Sequence, residues 1–191
     1  MSFASGQKSW GYDLRCDFRF RRYSVQLHVH LENRRRHLSS LSGRRSYCGG
    51  FFYFNTVEPK ADAVSFLSRM KEEGIQTCIT TATDRYQVKT ALRRCGMDIF
   101  FSDIFICSEV GHGKDKPIIF RKALEHLQTT RADTIVFEDV FHALKTASGD
   151  GFITAAVYDS SEKRQKDLRN LADFFLESYH ITDSFWKFAL A

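Results

Sequence analysis

The chain has 191 residues, 28 Lys+Arg against 23 Asp+Glu, a formal charge of +5 and 43% hydrophobic residues. That length fits one ordinary domain, and the composition excludes a wholly disordered chain, a collagen-like repeat and a disulfide mini-scaffold. The charge is uneven: residues 1–50 hold ten of the basic side chains and three of the acidic ones, giving +7, whereas residues 51–191 carry −2.

Within the basic leader, Val25, Leu27, Val29 and Leu31 alternate with Gln26, His28, His30 and Glu32, which predicts one half-exposed strand. Around it lie Arg34-Arg35-Arg36 and Arg44-Arg45, with no helical period. From Phe51 the pattern changes to short β-branched or aromatic runs alternating with helical periods, the signature of βαβ units and a parallel sheet. Val64, Leu67 and Met70 mark the first helical face, closed by Gly74. A buried-strand run follows over 75–81. Val88, Ala91, Leu92 and Cys95 define a second helix ending at Gly96. A strand is predicted over 104–107, and a third helix on Phe120, Ala123, Leu124 and Leu127. Ile135-Val136-Phe137 is a strand, Val140, Ala143, Leu144 and Ala147 a short helix, and 154–158 another strand. Leu168 and Leu171 belong to a more polar helix, Phe174-Phe175-Leu176 reads as an edge strand, and Phe185, Trp186, Phe188 and Leu190 dock on the body.

The five cysteines are odd in number with no CxxC spacing, and Cys78, Cys95 and Cys107 fall in apolar runs. Reduced thiols in a cytoplasmic protein are expected. Arg and Ser interrupt every apolar stretch near the N-terminus, and no run approaches the roughly 18 residues of a spanning helix. Neither a signal peptide nor a membrane partner is expected.

Open parallel sheets bind ligands beyond the C-terminal ends of their strands, so the polar residues there carry the chemistry. Thr80-Thr81-Ala82-Thr83-Asp84-Arg85 leads from a strand into a helix, where hydroxyls and free N–H groups cradle phosphate. The competing reading is simple N-capping by Thr83 or Asp84. Further on, Gly111-His112-Gly113-Lys114-Asp115-Lys116-Pro117 offers a tight loop and a lysine able to neutralise a phosphoryl group, or else a solvated loop. Glu138-Asp139 places two carboxylates directly behind an apolar strand, suited to Mg²⁺ or to capping the next helix.

The order of these segments resembles motifs II, III and IV of the haloacid dehalogenase-like (HAD) hydrolase superfamily, in its phosphatase and β-phosphoglucomutase-like branch, over about residues 51–175. The resemblance implies an α/β fold: a three-layer, Rossmann-like parallel sheet with flanking helices, formed by residues 51–191 behind an atypical leader at 1–50. It also implies Mg²⁺ and a small phosphorylated substrate of sugar-phosphate type. Thr81 and the Ala82 amide would bind phosphoryl oxygens. Lys114, with Lys116 as runner-up, would stabilise developing charge, and Asp139 with Glu138 would hold the metal.

Family members also carry motif I, DxDx[TV], whose first Asp attacks phosphorus and whose second is the general acid/base. No DxD occurs in this chain; Asp13 and Asp17 are the nearest acidic pair ahead of the matching region. The switch in charge and periodicity near Cys48 to Phe51 predicts that an unrelated leader replaces the motif I strand and leaves no room for a full cap. A phosphatase architecture with impaired or absent turnover follows. Two other readings compete. Arg19, Arg21 and Arg22 among Phe18, Phe20 and Tyr23 would suit a non-catalytic module binding single-stranded nucleic acid. Cys16, His28, His30, His37 and Cys48 contain zinc-ligand residue types, but at spacings that fit no standard finger.

Overall fold

The computed structural model describes residues 57–190 and the backbone of two short strands before them. The elements in chain order are β1 (Ser24–Leu27), β2 (Leu31–Glu32), β3 (Glu58–Pro59), α1 (Ala63–Glu72), β4 (Gln76–Thr81), α2 (Arg85–Arg94), β5 (Ile104–Ile106), α3 (Cys107–Val110) and α4 (Ile118–Leu127). Then follow β6 (Thr134–Glu138), α5 (Phe141–Gly149), β7 (Ile153–Val157), α6 (Gln165–Leu171), β8 (Phe174–Leu176) and α7 (Asp183–Ala189). Short 3₁₀ turns at Asp98–Phe100 and Arg131–Asp133 lead into β5 and β6.

Six strands form one sheet in the order β5-β4-β1-β6-β7-β8, and every pairing in it is parallel. Alternate residues of the strands feed two opposite layers, as the two-residue side-chain period requires. Ile79, Ile135, Phe137, Ala155 and Val157 pack with Phe66, Leu67 and Met70 of α1, Val88 and Leu92 of α2, and Phe185 and Trp186 of α7. On the other side, Cys78 packs with Ala123 and Leu127 of α4, Val136 with Ile119, Phe120 and Ala143, and Ala156 with Leu144 and Leu168. This is the three-layer architecture that the family resemblance implies, built on the parallel sheet expected from the alternation of runs. The edge position of Phe174–Leu176 and the docking of the C-terminal helix also match.

Helix α1 buries Ala63, Phe66, Leu67 and Met70, while Val64 is 39% exposed. The expected face on Val64 is therefore corrected. Residues 64 and 66 are both apolar, and the larger Phe66 takes the core. Its ring meets Phe137, Tyr179, Phe185 and Trp186 at centroid distances of 5.9, 5.1, 5.2 and 5.3 Å.

The leader differs more from expectation. β1 is the centre of the sheet, paired to β4 on one side and β6 on the other. It ends at Leu27, and Leu31–Glu32 pairs separately and antiparallel with β3. A division of the chain at residue 50 would place β1 apart from the sheet it completes. The central strand position is filled from within the leader.

Candidate active site

The chain passes from β1 to β4 and β5 on one side, then crosses back so that β6 flanks β1 on the other. That reversal makes a crevice beyond the C-terminal ends of β4, β1 and β6, where open α/β sheets bind ligands. Leu27 is in register with Ile79 and with Phe137, so β4 extends past β1 by Thr80 and Thr81, and β6 by Glu138. Thr81 and Glu138 therefore border the end of β1.

Thr81 is buried, and its hydroxyl oxygen accepts the Thr83 N–H at 3.1 Å. Accepting that bond fixes the loop yet leaves the hydroxyl proton available to an anion. Ala82 follows at an exposed position. Asp84 occupies the N-cap of α2 without a side-chain capping bond, so capping by Asp84 does not account for this segment.

Lys114 is 7% exposed and donates to the Glu138 carboxylate, which is fully buried. Gly111, at φ +79°, ends α3 in a left-handed conformation suited to glycine and turns the chain into this loop. The lysine ammonium stands 5.9 Å from the Phe120 ring centroid. Lys116 and His112 are exposed, so the buried lysine of this loop is Lys114. Glu138 is likewise not a helix cap. Val140 holds the N-cap of α5, and the Phe141 N–H is taken by Glu162 at 3.1 Å.

Glu138 Oε2 is buried and accepts no hydrogen bond among the described residues. A buried carboxylate oxygen in that state fits a cation or an ordered water. With Asp139 next in sequence, the pair has the hard-oxygen chemistry that Mg²⁺ takes from one or two carboxylates. Among the described residues, no group of three or more His, Cys, Asp or Glu side chains gathers as a fuller ligand set.

Cys107 opens α3 between Lys114, Glu138 and Asp115; burial raises its thiol above the ordinary value, Lys114 opposing. Burial likewise raises the Tyr179 phenol, with Asp139 adding to it. Arg85 and Tyr86, adjacent at the start of α2, diverge. Tyr86 is 72% exposed, whereas Arg85 is engaged by Glu109. Sequence reasoning missed Glu109 and Tyr179, whose partners lie on other elements. Asp13, Asp17, the arginine-aromatic leader and the Cys16, His28, His30, His37 and Cys48 set lie outside the described residues.

A family model described as a haloacid dehalogenase-like hydrolase matches residues 19–147, a span that includes β1, Thr81, Lys114 and Glu138-Asp139. The chain belongs to the haloacid dehalogenase-like hydrolase family. Among curated relatives, it is 29% identical over 108 residues to the pyrophosphatase PpaX of Anoxybacillus flavithermus, covering 56% of this chain and 50% of that protein. It is 28% identical over 101 residues to PpaX of Bacillus mycoides, covering 53% and 47%. The chain thus spans about half the length of the curated relatives it matches.

Solved structures share the fold. CbbY from Rhodobacter sphaeroides in complex with phosphate matches with a TM-score of 0.60 at 22% identity, over 66% of this chain and 57% of that one. A HAD hydrolase from Deinococcus radiodurans with bound phosphate and sodium gives 0.63 at 20%, over 70% and 62%. The β-phosphoglucomutase of Clostridium difficile gives 0.58 at 15%, over 69% and 56%. Among the described residues, no helix is long and apolar enough to cross a membrane.

Proposed function

We propose that this chain carries the phosphoryl-binding apparatus of a Mg²⁺-dependent phosphatase for a small phosphorylated metabolite of sugar-phosphate type, with turnover impaired by loss of the nucleophilic aspartate. The observation that carries the reading is the buried Lys114–Glu138 pair at the switch point of the sheet, with Thr81 on the other side of β1. In this assignment Thr81 and the Ala82 amide bind phosphoryl oxygens, Lys114 neutralises their charge, and Asp139 with Glu138 holds the metal. Bound Mg²⁺ would supply charge neutralisation to a phosphoryl oxygen. PpaX relatives and CbbY, the latter also solved with xylulose-(1,5)bisphosphate, support a phosphorylated substrate. The free thiols Cys78, Cys95 and Cys107 support a reducing, cytoplasmic setting.

The impairment is argued from β1. This strand leads directly into His28-Val29-His30-Leu31-Glu32, where the family carries DxDx[TV]. Imidazole replaces carboxylate at both Asp places. A histidine provides neither the attacking carboxylate of the family nor a hard-oxygen Mg²⁺ ligand.

Calorimetric titration with inorganic phosphate in the presence of Mg²⁺ tests the binding half of this reading. Saturable binding that Thr81→Val and Lys114→Met both abolish supports it. Binding that neither substitution alters contradicts it.

A further inference from the structure

Arg85 is the first residue of α2, four residues beyond Thr81. A cation in the first turn opposes the helix macrodipole, so its place is not explained by α2 itself. Its guanidinium reaches across to the neighbouring βα unit. Nε donates to Glu109 Oε1 at 2.8 Å, and Nη2 donates to Glu109 Oε2 at 2.6 Å and to the Ile104 carbonyl at 2.7 Å. Nη1 lies 3.8 Å from Asp103. Glu109 is on α3, five residues before Lys114, and Ile104 is the first residue of β5, itself paired with β4. A two-pronged arginine-carboxylate contact fixes direction as well as distance, which a lysine cannot do.

We propose that Arg85 is a positioning residue: through Glu109 and the Ile104 carbonyl it locks the Thr81 loop to the segment carrying Lys114, and it does not itself bind phosphate. This rests on the phosphoryl-binding reading above. Three of its donor contacts go to Glu109 and Ile104, and Glu109 balances its charge.

The two roles predict opposite signs for one substitution. Glu109→Gln removes a negative charge and weakens the grip on Arg85. If Arg85 were a phosphate ligand, the released guanidinium would tighten binding. If it is a positioning residue, binding weakens.

The experiment is calorimetric titration of the full chain with inorganic phosphate and Mg²⁺, for wild type, Arg85→Gln, Glu109→Gln, the exchange Arg85→Glu/Glu109→Arg, and Lys114→Met, with melting curves to confirm folding. Arg85→Gln and Glu109→Gln should each weaken phosphate about tenfold, as loss of a charge-assisted contact predicts, and the exchange should recover most of it. Tighter binding by Glu109→Gln overturns the proposal. So does wild-type affinity in both single variants when Lys114→Met has lost binding, an outcome that leaves the phosphoryl-binding reading intact. Absence of phosphate binding by the wild type overturns that reading and this proposal with it.

Discussion

Lys114 donates to Glu138 across 24 residues of sequence, and both side chains are buried. The contact ties the loop ahead of α4 to the end of β6, bringing together the segments proposed above for charge neutralisation and for metal. A buried pair contributes little net stability because desolvation offsets attraction, but breaking it on one side strands a charge. Lys114→Ala should therefore destabilise the fold by about 3–5 kcal/mol, whereas the double change Lys114→Met/Glu138→Leu should be near neutral. Urea unfolding of the variants reads the difference.

Thr81 offers a narrower test. Thr81→Val keeps the volume and shape but removes the hydroxyl, so the Thr83 N–H loses its acceptor. The unliganded protein should lose about 1 kcal/mol, the value of one hydrogen bond. The rise in melting temperature that saturating phosphate gives the wild type should disappear in the variant, since only binding to the native state raises stability.

The C-terminal helix is an integral wall of the core. Phe185 is fully buried, and its ring meets Phe66 at 5.2 Å, Phe137 at 5.3 Å and Phe174 at 5.5 Å. Phe185→Ala should cost about 3–5 kcal/mol. Leu190→Ala, at a position 45% exposed, should stay within about 0.5 kcal/mol of wild type. Equal effects in urea unfolding would contradict the docking of α7.

Asp150, just past α5, accepts from Arg121 Nε at 3.0 Å and from Arg131 Nη2 at 3.1 Å. The Arg121 hydrogen bond first, with help from Arg131, holds its carboxyl below the usual range. A depressed folded-state value stabilises the protein above the unfolded carboxyl value of about 4, and that contribution is lost as pH falls through the folded value. Solvent around the half-exposed arginines limits it to at most about 1 kcal/mol. Asp150→Asn should melt below wild type at pH 7, and the gap should narrow as pH falls below the unfolded carboxyl value of about 4. A gap independent of pH would show that charge is not its cause.

Much of this was legible in order rather than in strength. Thr81, Lys114 and Glu138-Asp139 are individually weak signals, but each follows a strand of a βαβ pattern. The fold brings Thr81 and Glu138 to the end of one central strand, with Lys114 bonded to Glu138. What escaped was the place of β1. Central parallel strands normally read as continuous apolar runs, and Gln26 interrupts β1, so the alternation gives no sign of two strand neighbours. Pairing on both sides is a backbone property that side-chain periodicity does not report. The Arg85–Glu109 contact escaped for another reason. Its partners are 24 residues apart on different elements, and sequence spacing reads ion pairs only within one helix.

A phosphatase frame without its attacking carboxylate should not turn over. This is tested most directly by Mg²⁺-dependent hydrolysis of a phosphate monoester, measured side by side for the wild type and for His28→Asp/His30→Asp. Background turnover by the wild type and a Mg²⁺-dependent gain in the double variant are expected. Robust wild-type hydrolysis that Lys114→Ala abolishes would contradict this.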